Sequence, residues 1–373
     1  MLVALLTPPG RGAIAVLHLC GEGAKALVRG LASRDFGDRP VLARLERDGE
    51  LLDEVLVRTV EGFTAEETVE ISCHGGHACV ERVVGALEAL GARRGGAEEL
   101  LERGVRTGRL DRLRAEAWAV LPRAATGLAA RTLLDQAEGA LSRAAARLGT
   151  AAEAARLLET SPLGRALASP PRVVLAGAPN VGKSTLFNAL LRCDRALVSP
   201  EAGTTRDPVR ETIAVEEVPL ELVDTAGVGE PAGLLERLSA ERTARAAAGA
   251  DLILFLFDAT VGVREEERRL LERLGDRRIV RVWNKVDASS AAPVRGALPV
   301  SALKGEGLDG VRRHILEALG IRPSYGPGRP VVFTARQERW LRAAARGAIP
   351  IREAREGLLR GGGDRIEPPA SGA

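Results

Sequence analysis

A short apolar run, Arg172-Val173-Val174-Leu175-Ala176, passes straight into Gly177-Ala178-Pro179-Asn180-Val181-Gly182-Lys183-Ser184 and then into a helical pattern from Thr185 to Leu191. The run has the length and uninterrupted apolarity of a strand buried on both faces. The octet fits the spacing G-x-x-x-x-G-K-[ST] at the strand-to-helix turn where that spacing carries meaning. Glycines there let main-chain N–H groups turn inward around a polyphosphate, and the helix N-terminus adds positive potential. Lys183 is placed to reach the terminal phosphates, Ser184 to ligate Mg²⁺, and Asn180, Val181, Gly182 and Thr185 to line the phosphates.

Taken alone, the octet could be a chance glycine-rich turn. Four further segments argue against that. Gly203-Thr204-Thr205-Arg206-Asp207 lies on a loop beyond the first helix, and Asp224-Thr225-Ala226-Gly227 ends the strand Leu220 to Val223. Asn284-Lys285-Val286-Asp287 ends the strand Ile279 to Trp283, and Ser301-Ala302-Leu303 follows another short strand. Each sits at or just beyond the carboxyl end of a strand, where open α/β sheets bind ligands. Thr205 is expected to complete the Mg²⁺ shell, Asp224 to hold the ion through water, and the Gly227 amide to sense the γ-phosphate. A carboxylate such as Asp287 accepts two hydrogen bonds from the N1–H and N2–H₂ edge of guanine, a pair of donors that adenine lacks. The expected ligand is therefore GTP or GDP. Val228 stands where Ras-like enzymes carry a water-orienting glutamine, so water must be positioned from elsewhere. No arginine finger is evident, although Arg206 is close to the phosphate loop.

Residue usage supports the same positions. The chain favours Arg, Ala and Gly, and its only lysines are Lys25, Lys183, Lys285 and Lys304; its only asparagines are Asn180, Asn188 and Asn284. Two of each lie in the motifs, as expected where a compact ammonium does what a guanidinium cannot.

The 373 residues, 45% hydrophobic and 28% charged, suit two or three soluble domains and exclude wholesale disorder. A net charge of +3 neither requires nor excludes a nucleic-acid partner. No apolar run is long enough to span a membrane, and Cys20, Cys73, Cys79 and Cys193 form no disulfide framework. A cytoplasmic protein without a membrane partner is expected.

Around the nucleotide motifs the pattern divides the chain into five parts. Residues 1–108 mix strand-like runs (Ala13 to Leu19, Glu54 to Val60, Val69 to Ser72) with one helix, Ala78 to Leu90, as in a small α+β domain. Helical spacing, broken near Pro122, fills 109–168, and strands alternating with helices fill 169–321. A second helical part covers 322–360, with a helical stretch from Thr334 to Leu359, and 361–373 is expected to be disordered. The fold class is thus multi-domain, α+β and α/β. It comprises a small α+β N-terminal domain, a helical domain and an inserted Ras-like P-loop domain with a doubly wound, mostly parallel sheet.

Together these features resemble the MnmE (TrmE) family of tRNA-modifying GTPases. Outside the nucleotide motifs the resemblance rests on Thr7-Pro8-Pro9-Gly10-Arg11-Gly12, on Phe63-Thr64 followed by Glu70 and His74-Gly75-Gly76, and on Leu110-Asp111 with Ala115-Glu116-Ala117. It implies a GTP hydrolase, homodimeric through its N-terminal domain. Such an enzyme works with an FAD-containing MnmG-like protein to modify C5 of the tRNA wobble uridine with a carboxymethylaminomethyl group. It further implies a potassium ion in place of an arginine finger, held by Asn180 and by mostly backbone oxygens of Ser199, Glu201 and Thr204. Glu236 becomes the water-positioning acid, the alternative being a solvated helix-face glutamate. The N-terminal domain is expected to bind a tetrahydrofolate derivative through His18, Glu70 and Arg109. His18 stands where the family has arginine, and an outward side chain on an alternating strand is an equal reading of it.

Cys73-His74-Gly75-Gly76-His77-Ala78-Cys79 invites a zinc reading, but adjacent Cys-His pairs converge poorly on one tetrahedral ion. A tight turn at the glycines is the better expectation. The family's C-terminal Cys-Ile-Gly-Lys motif and its Pro-Gly-Glu-Phe motif have no counterpart here. A second expectation follows: a GTPase switch without tRNA chemistry, acting as a regulatory or RNA- or ribosome-associated module.

Overall fold

A computed structural model describes residues 1–8, 12–194, 209–224 and 249–361. The chain forms two compact units, Met1–Ala119 with a return segment from Glu356, and Val120–Arg355.

In the first unit the strands are β1 (Leu2–Leu5), β2 (Ile14–Cys20), β3 (Val41–Arg47), β4 (Glu50–Thr59), β5 (Thr68–His74) and β6 (Arg93–Gly95). The helices are α1 (Ala24–Arg29), α2 (His77–Ala89), α3 (Ala97–Arg106) and α4 (Arg112–Val120). The strands make one sheet in the order β3-β4-β5-β2-β1-β6, antiparallel except where β1 meets β6. Alternation along β2 and β5 puts Leu17, Leu19, Val69 and Ile71 toward α2, whose Val80, Val83, Val84 and Leu87 recur at helical spacing and close that core. Three of the strands, β1, β3 and β6, were not anticipated; they are short or carry too many charges to stand out.

In the second unit the helices are α5 (Gly127–Ala137), α6 (Ala140–Ala146), α7 (Ala151–Leu158), α8 (Ser161–Ala168), α9 (Lys183–Asp194), α10 (Glu265–Leu274), α11 (Leu308–Ala318) and α12 (Ala335–Ala345). Its strands are β7 (Arg172–Gly177), β8 (Val209–Val215), β9 (Val218–Asp224), β10 (Leu252–Asp258), β11 (Ile279–Asn284) and β12 (Ala297–Val300). The described chain continues into α13 (Ile351–Arg360). The sheet order is β12-β11-β10-β7-β9-β8, parallel throughout except for the β8–β9 hairpin. This is the expected Ras-like, doubly wound arrangement. On β10, Leu252, Leu254 and Leu256 join the core with Leu186 and Leu190 of α9 and with Val311 and Ile315 of α11. The alternate residues Ile253, Phe255 and Phe257 face the other way, with Leu274 of α10. Burial on both faces explains why this strand is apolar without alternation.

The helices preceding the sheet share its core. Leu128 and Ala129 of α5 and Leu163 and Leu167 of α8 belong to the same cluster as Ile213, Val215, Val218 and Leu220 of the β8–β9 hairpin. Thr126, Thr150 and Thr334 cap α5, α7 and α12 by accepting from the main-chain N–H three residues on. The helical stretch expected from Thr334 to Leu359 is made of two helices, α12 and α13. The break falls where Gly347 turns to φ 69° and Pro350 follows.

Gly164 shows how closely the connection from the sheet back to α12 is seated. A Cβ there would lie 2.1 Å from the Val332 carbonyl oxygen. Gly85, inside α2, has open space at the same position. Alanine at Gly85 should therefore stabilise by about 1 kcal/mol through helix propensity. Alanine at Gly164 should reverse that sign and cost about 2 kcal/mol, because a packed main chain must move. Thermal or urea unfolding of the two variants reads both signs; a stabilised Gly164→Ala would refute the close seating.

Candidate nucleotide site

The ends of five parallel strands meet along one side of the second sheet: Gly177 on β7, Asp224 on β9, Asp258 on β10, Asn284 on β11 and Val300 on β12. The turn after β7 is the glycine-rich loop. Asn180 takes the left-handed conformation with φ 63°, and Gly182 has φ 96°. A side chain at Gly182 would also place its Cβ 2.3 Å from Asn284 Nδ2, so only glycine fits.

Lys183 opens α9 and folds back over the loop, donating to the carbonyls of Gly177 at 3.1 Å and Ala178 at 2.9 Å. It is 9% exposed, and that burial draws its ammonium below the ordinary lysine range, against the opposing pull of Asp224. Beside it Ser184 Oγ donates to Asp224 Oδ2 at 2.6 Å, a hydroxyl and a carboxylate converging on one point. Hard oxygen donors of this kind suit Mg²⁺.

Asn284 is spent on architecture. At 2% exposed, it donates from Nδ2 to the Val181 carbonyl at 2.8 Å and accepts at Oδ1 from the Ala302 N–H at 3.0 Å. It thereby ties the loop after β12, with buried Ser301, to the phosphate loop. Lys285, left-handed at φ 66°, donates to the Asn180 carbonyl at 2.7 Å and to Asp258 Oδ2 at 2.6 Å. Asp287 follows in a short 3₁₀ turn, Val286–Ala288.

Sequence reading missed Asp258. A lone aspartate ending an apolar strand belongs to no motif, although its position at a strand's carboxyl end beside two motif strands was a usable signal. Ser199, Glu201, Gly203, Thr204, Thr205 and Arg206 lie outside the described residues. So do Thr225, Ala226, Gly227, Val228 and Glu236.

In the first unit His18 and Glu70 are brought together, but Arg109 is engaged elsewhere. His18 and Glu70 face each other in the β2–β5 register, with His18 Nε2 3.2 Å from Glu70 Oε2. Arg58, not foreseen, donates from Nε to Glu70 Oε1 at 2.6 Å. Burial alone would raise the Glu70 carboxyl, but the Arg58 and His18 hydrogen bonds outweigh it and hold it below the usual range. Arg109 pairs with Glu61. The outward reading of His18 is corrected. The residue is 5% exposed, with Phe63 packed beside its ring at a centroid distance of 6.3 Å and Trp118 meeting Phe63 edge-on. That burial lowers the imidazole pKa, against the Glu70 charge, and its Nδ1 has no hydrogen-bond partner among the described residues.

Gly75 and Gly76 form the turn between β5 and α2. His74 Nδ1 is committed to Asp53 at 2.7 Å, and burial pushes the Cys73 thiol up to about 11. Neither suits a zinc site, and among the described residues no cluster of His, Cys, Asp and Glu is arranged to hold a metal.

A family model described as the GTP-binding protein TrmE N-terminus matches residues 1–109, and one described as a 50S ribosome-binding GTPase matches 172–285. The tRNA modification GTPase MnmE of Moorella thermoacetica is 35% identical, over 90% of this chain and 85% of its own length. Its namesakes from Alkalilimnicola ehrlichii and Thermus thermophilus are each 36% identical, over 95% and 92% of this chain and 89% and 87% of their own lengths. With an N-terminal module of one kind and a guanine-nucleotide site of the other joined in a single chain, and with identity of this level running through both, the chain belongs to the MnmE (TrmE) family of tRNA modification GTPases.

Proposed function

We propose that this chain hydrolyses GTP to drive domain movements during carboxymethylaminomethylation at C5 of the tRNA wobble uridine. In this reading it acts in the cytoplasm as a homodimer with an FAD-containing MnmG-like partner. The observation that carries this reading is the joining of a TrmE-type N-terminal module to a fully assembled phosphate loop and guanine-recognition loop. The phosphates of GTP take over the Lys183 ammonium from the Gly177 and Ala178 carbonyls, and the base edge is read by Asp287. Ser184 and Thr205, with Asp224 acting through water, would hold Mg²⁺, and the ion would neutralise charge on the β- and γ-phosphates. Among the described residues no helix is long and apolar enough to cross a membrane.

Asn180 with Ser199, Glu201 and Thr204 would hold potassium, which would supply the positive charge that an arginine finger gives elsewhere. Glu236 orients the attacking water. Exchanging potassium for sodium should remove most of the turnover, and Glu236→Ala should lower kcat about 10²-fold with nucleotide affinity kept. Turnover unchanged in sodium, or in Glu236→Ala, would sink the respective assignment. In the first unit the pterin of a tetrahydrofolate derivative, a one-carbon donor, would be met by the His18 Nδ1 and the Glu70 carboxylate as hydrogen-bonding groups. Arg109 would reach that ligand only by leaving Glu61.

A switch without tRNA chemistry is not favoured, because the similarity to MnmE relatives runs through both the N-terminal module and the nucleotide site. The test is mass spectrometry of tRNA nucleosides from cells lacking the gene, then restored with wild type or Lys183→Ala. Loss of the modified wobble uridine, rescued by wild type alone, is expected. Unchanged nucleosides on deletion would overturn the tRNA role.

A further inference from the structure

Asp258 lies at the end of β10, 6% exposed, and none of the motifs includes it. Strand pairing sets it directly opposite Asn284, and the following N–H, of Ala259, donates to the Asn284 carbonyl at 2.8 Å. One carboxylate oxygen accepts from the Thr260 N–H at 2.9 Å and the Thr260 hydroxyl at 2.6 Å, which fixes the carboxylate's rotation. The other receives the Lys285 ammonium at 2.6 Å. From that position the same ammonium reaches the Asn180 carbonyl at 2.7 Å, 105 residues away in sequence.

We infer that Asp258 is a positioning residue for GTP: through Lys285 it clamps the main chain of the phosphate loop at Asn180 to the guanine-recognition loop. The inference rests on the GTP reading above and names a residue that reading does not use. The physical reason lies in Lys285 itself. Its side chain is about one-third exposed, and four rotatable bonds would otherwise carry its ammonium into water. A carboxylate already fixed by Thr260 removes that freedom. Asn180 meanwhile sits in a left-handed conformation that non-glycine residues adopt at a cost, so its carbonyl needs an anchor if the loop amides are to stay aligned. The clamp holds the loop that meets the phosphates at Lys183 in register with the loop that meets the base at Asp287.

The experiment measures dissociation of fluorescent N-methylanthraniloyl-GDP from the full chain by stopped flow, for wild type, Asp258→Asn, Lys285→Ala and the double variant. Asp258→Asn keeps the shape and the Thr260 contacts but removes the charge facing Lys285. Dissociation should quicken about tenfold or more, the size expected for losing a charge-assisted hydrogen bond. In the Lys285→Ala background the same change should alter the rate less than twofold, because Asp258 then has no ammonium to hold. A general loss of structure would act in both backgrounds. Thr260→Val, which loosens the carboxylate without touching it, supplies a second route should Asp258→Asn fail to fold: severalfold faster release with Lys285 present, and no change without it. Effects that multiply in the double variants, or single variants within twofold of wild type, would overturn the clamp. Wild type that fails to bind the fluorescent GDP would instead overturn the GTP reading.

Discussion

Asp287→Asn should turn a GTP-selective site into one that prefers xanthosine triphosphate. The carboxylate offers two acceptors to the N1–H and N2–H₂ donors of guanine. An amide in its place keeps one acceptor and presents an N–H₂ group to the guanine amine, donor against donor. Xanthine carries a carbonyl where guanine has the amine and so complements the amide. Sites built around a specific hydrogen-bond pair reject the mismatched ligand by about 10³-fold or more, and a change of that size in kcat/KM for GTP is expected here. The loop geometry favours a clean exchange. Asn284 is fixed at both ends by Val181 and Ala302, so the turn bearing Asp287 does not depend on the Asp287 side chain for its shape. Retained preference for GTP over xanthosine triphosphate in steady-state kinetics would show that Asp287 does not read the base.

Lys183→Ala should abolish turnover and most nucleotide affinity, by about 10³-fold or more in kcat/KM. The ammonium is the buried cation over the phosphate loop, and two main-chain carbonyls hold it there. Removing it leaves those carbonyls facing the phosphates, so attraction is replaced by repulsion. Lys183→Arg should not rescue the loss. A planar guanidinium is broader than an ammonium, and a residue only 9% exposed has no room to present it along the same line. GTP hydrolysis and calorimetric binding of GDP measure both variants; a Lys183→Arg enzyme with wild-type turnover would count against the need for a compact charge.

What could be read in the sequence followed from locality. Gly177 to Ser184 and Asn284 to Asp287 are contiguous, so their chemistry shows in the order of residues, and β7 stands out because a strand buried on both faces is apolar over almost its whole length. The partners of these residues are not local. Arg58 meets Glu70 only because β4 and β5 pair in that register, and Asp258 meets Lys285 only across β10 and β11. The burial of His18 depends likewise on Phe63 and Trp118, distant in sequence, whereas alternation along β2 specifies only which face it occupies. The helical stretch expected from Thr334 onward does not reveal its division for a local reason: the periodicity continues through Gly347, whose left-handed turn ends α12.

The cluster in which Leu128, Leu163 and Leu167 sit among Val215, Val218 and Leu220 also restricts how work can be extracted from GTP. Opening that seam would expose several fully buried aliphatic side chains, at roughly 1.5 to 3 kcal/mol each, an outlay comparable with the stability of a whole domain. The β8–β9 hairpin and helices α5 and α8 must therefore turn as one lever arm. A spin-label pair across the seam should keep its separation through the entire hydrolysis cycle while other distances change.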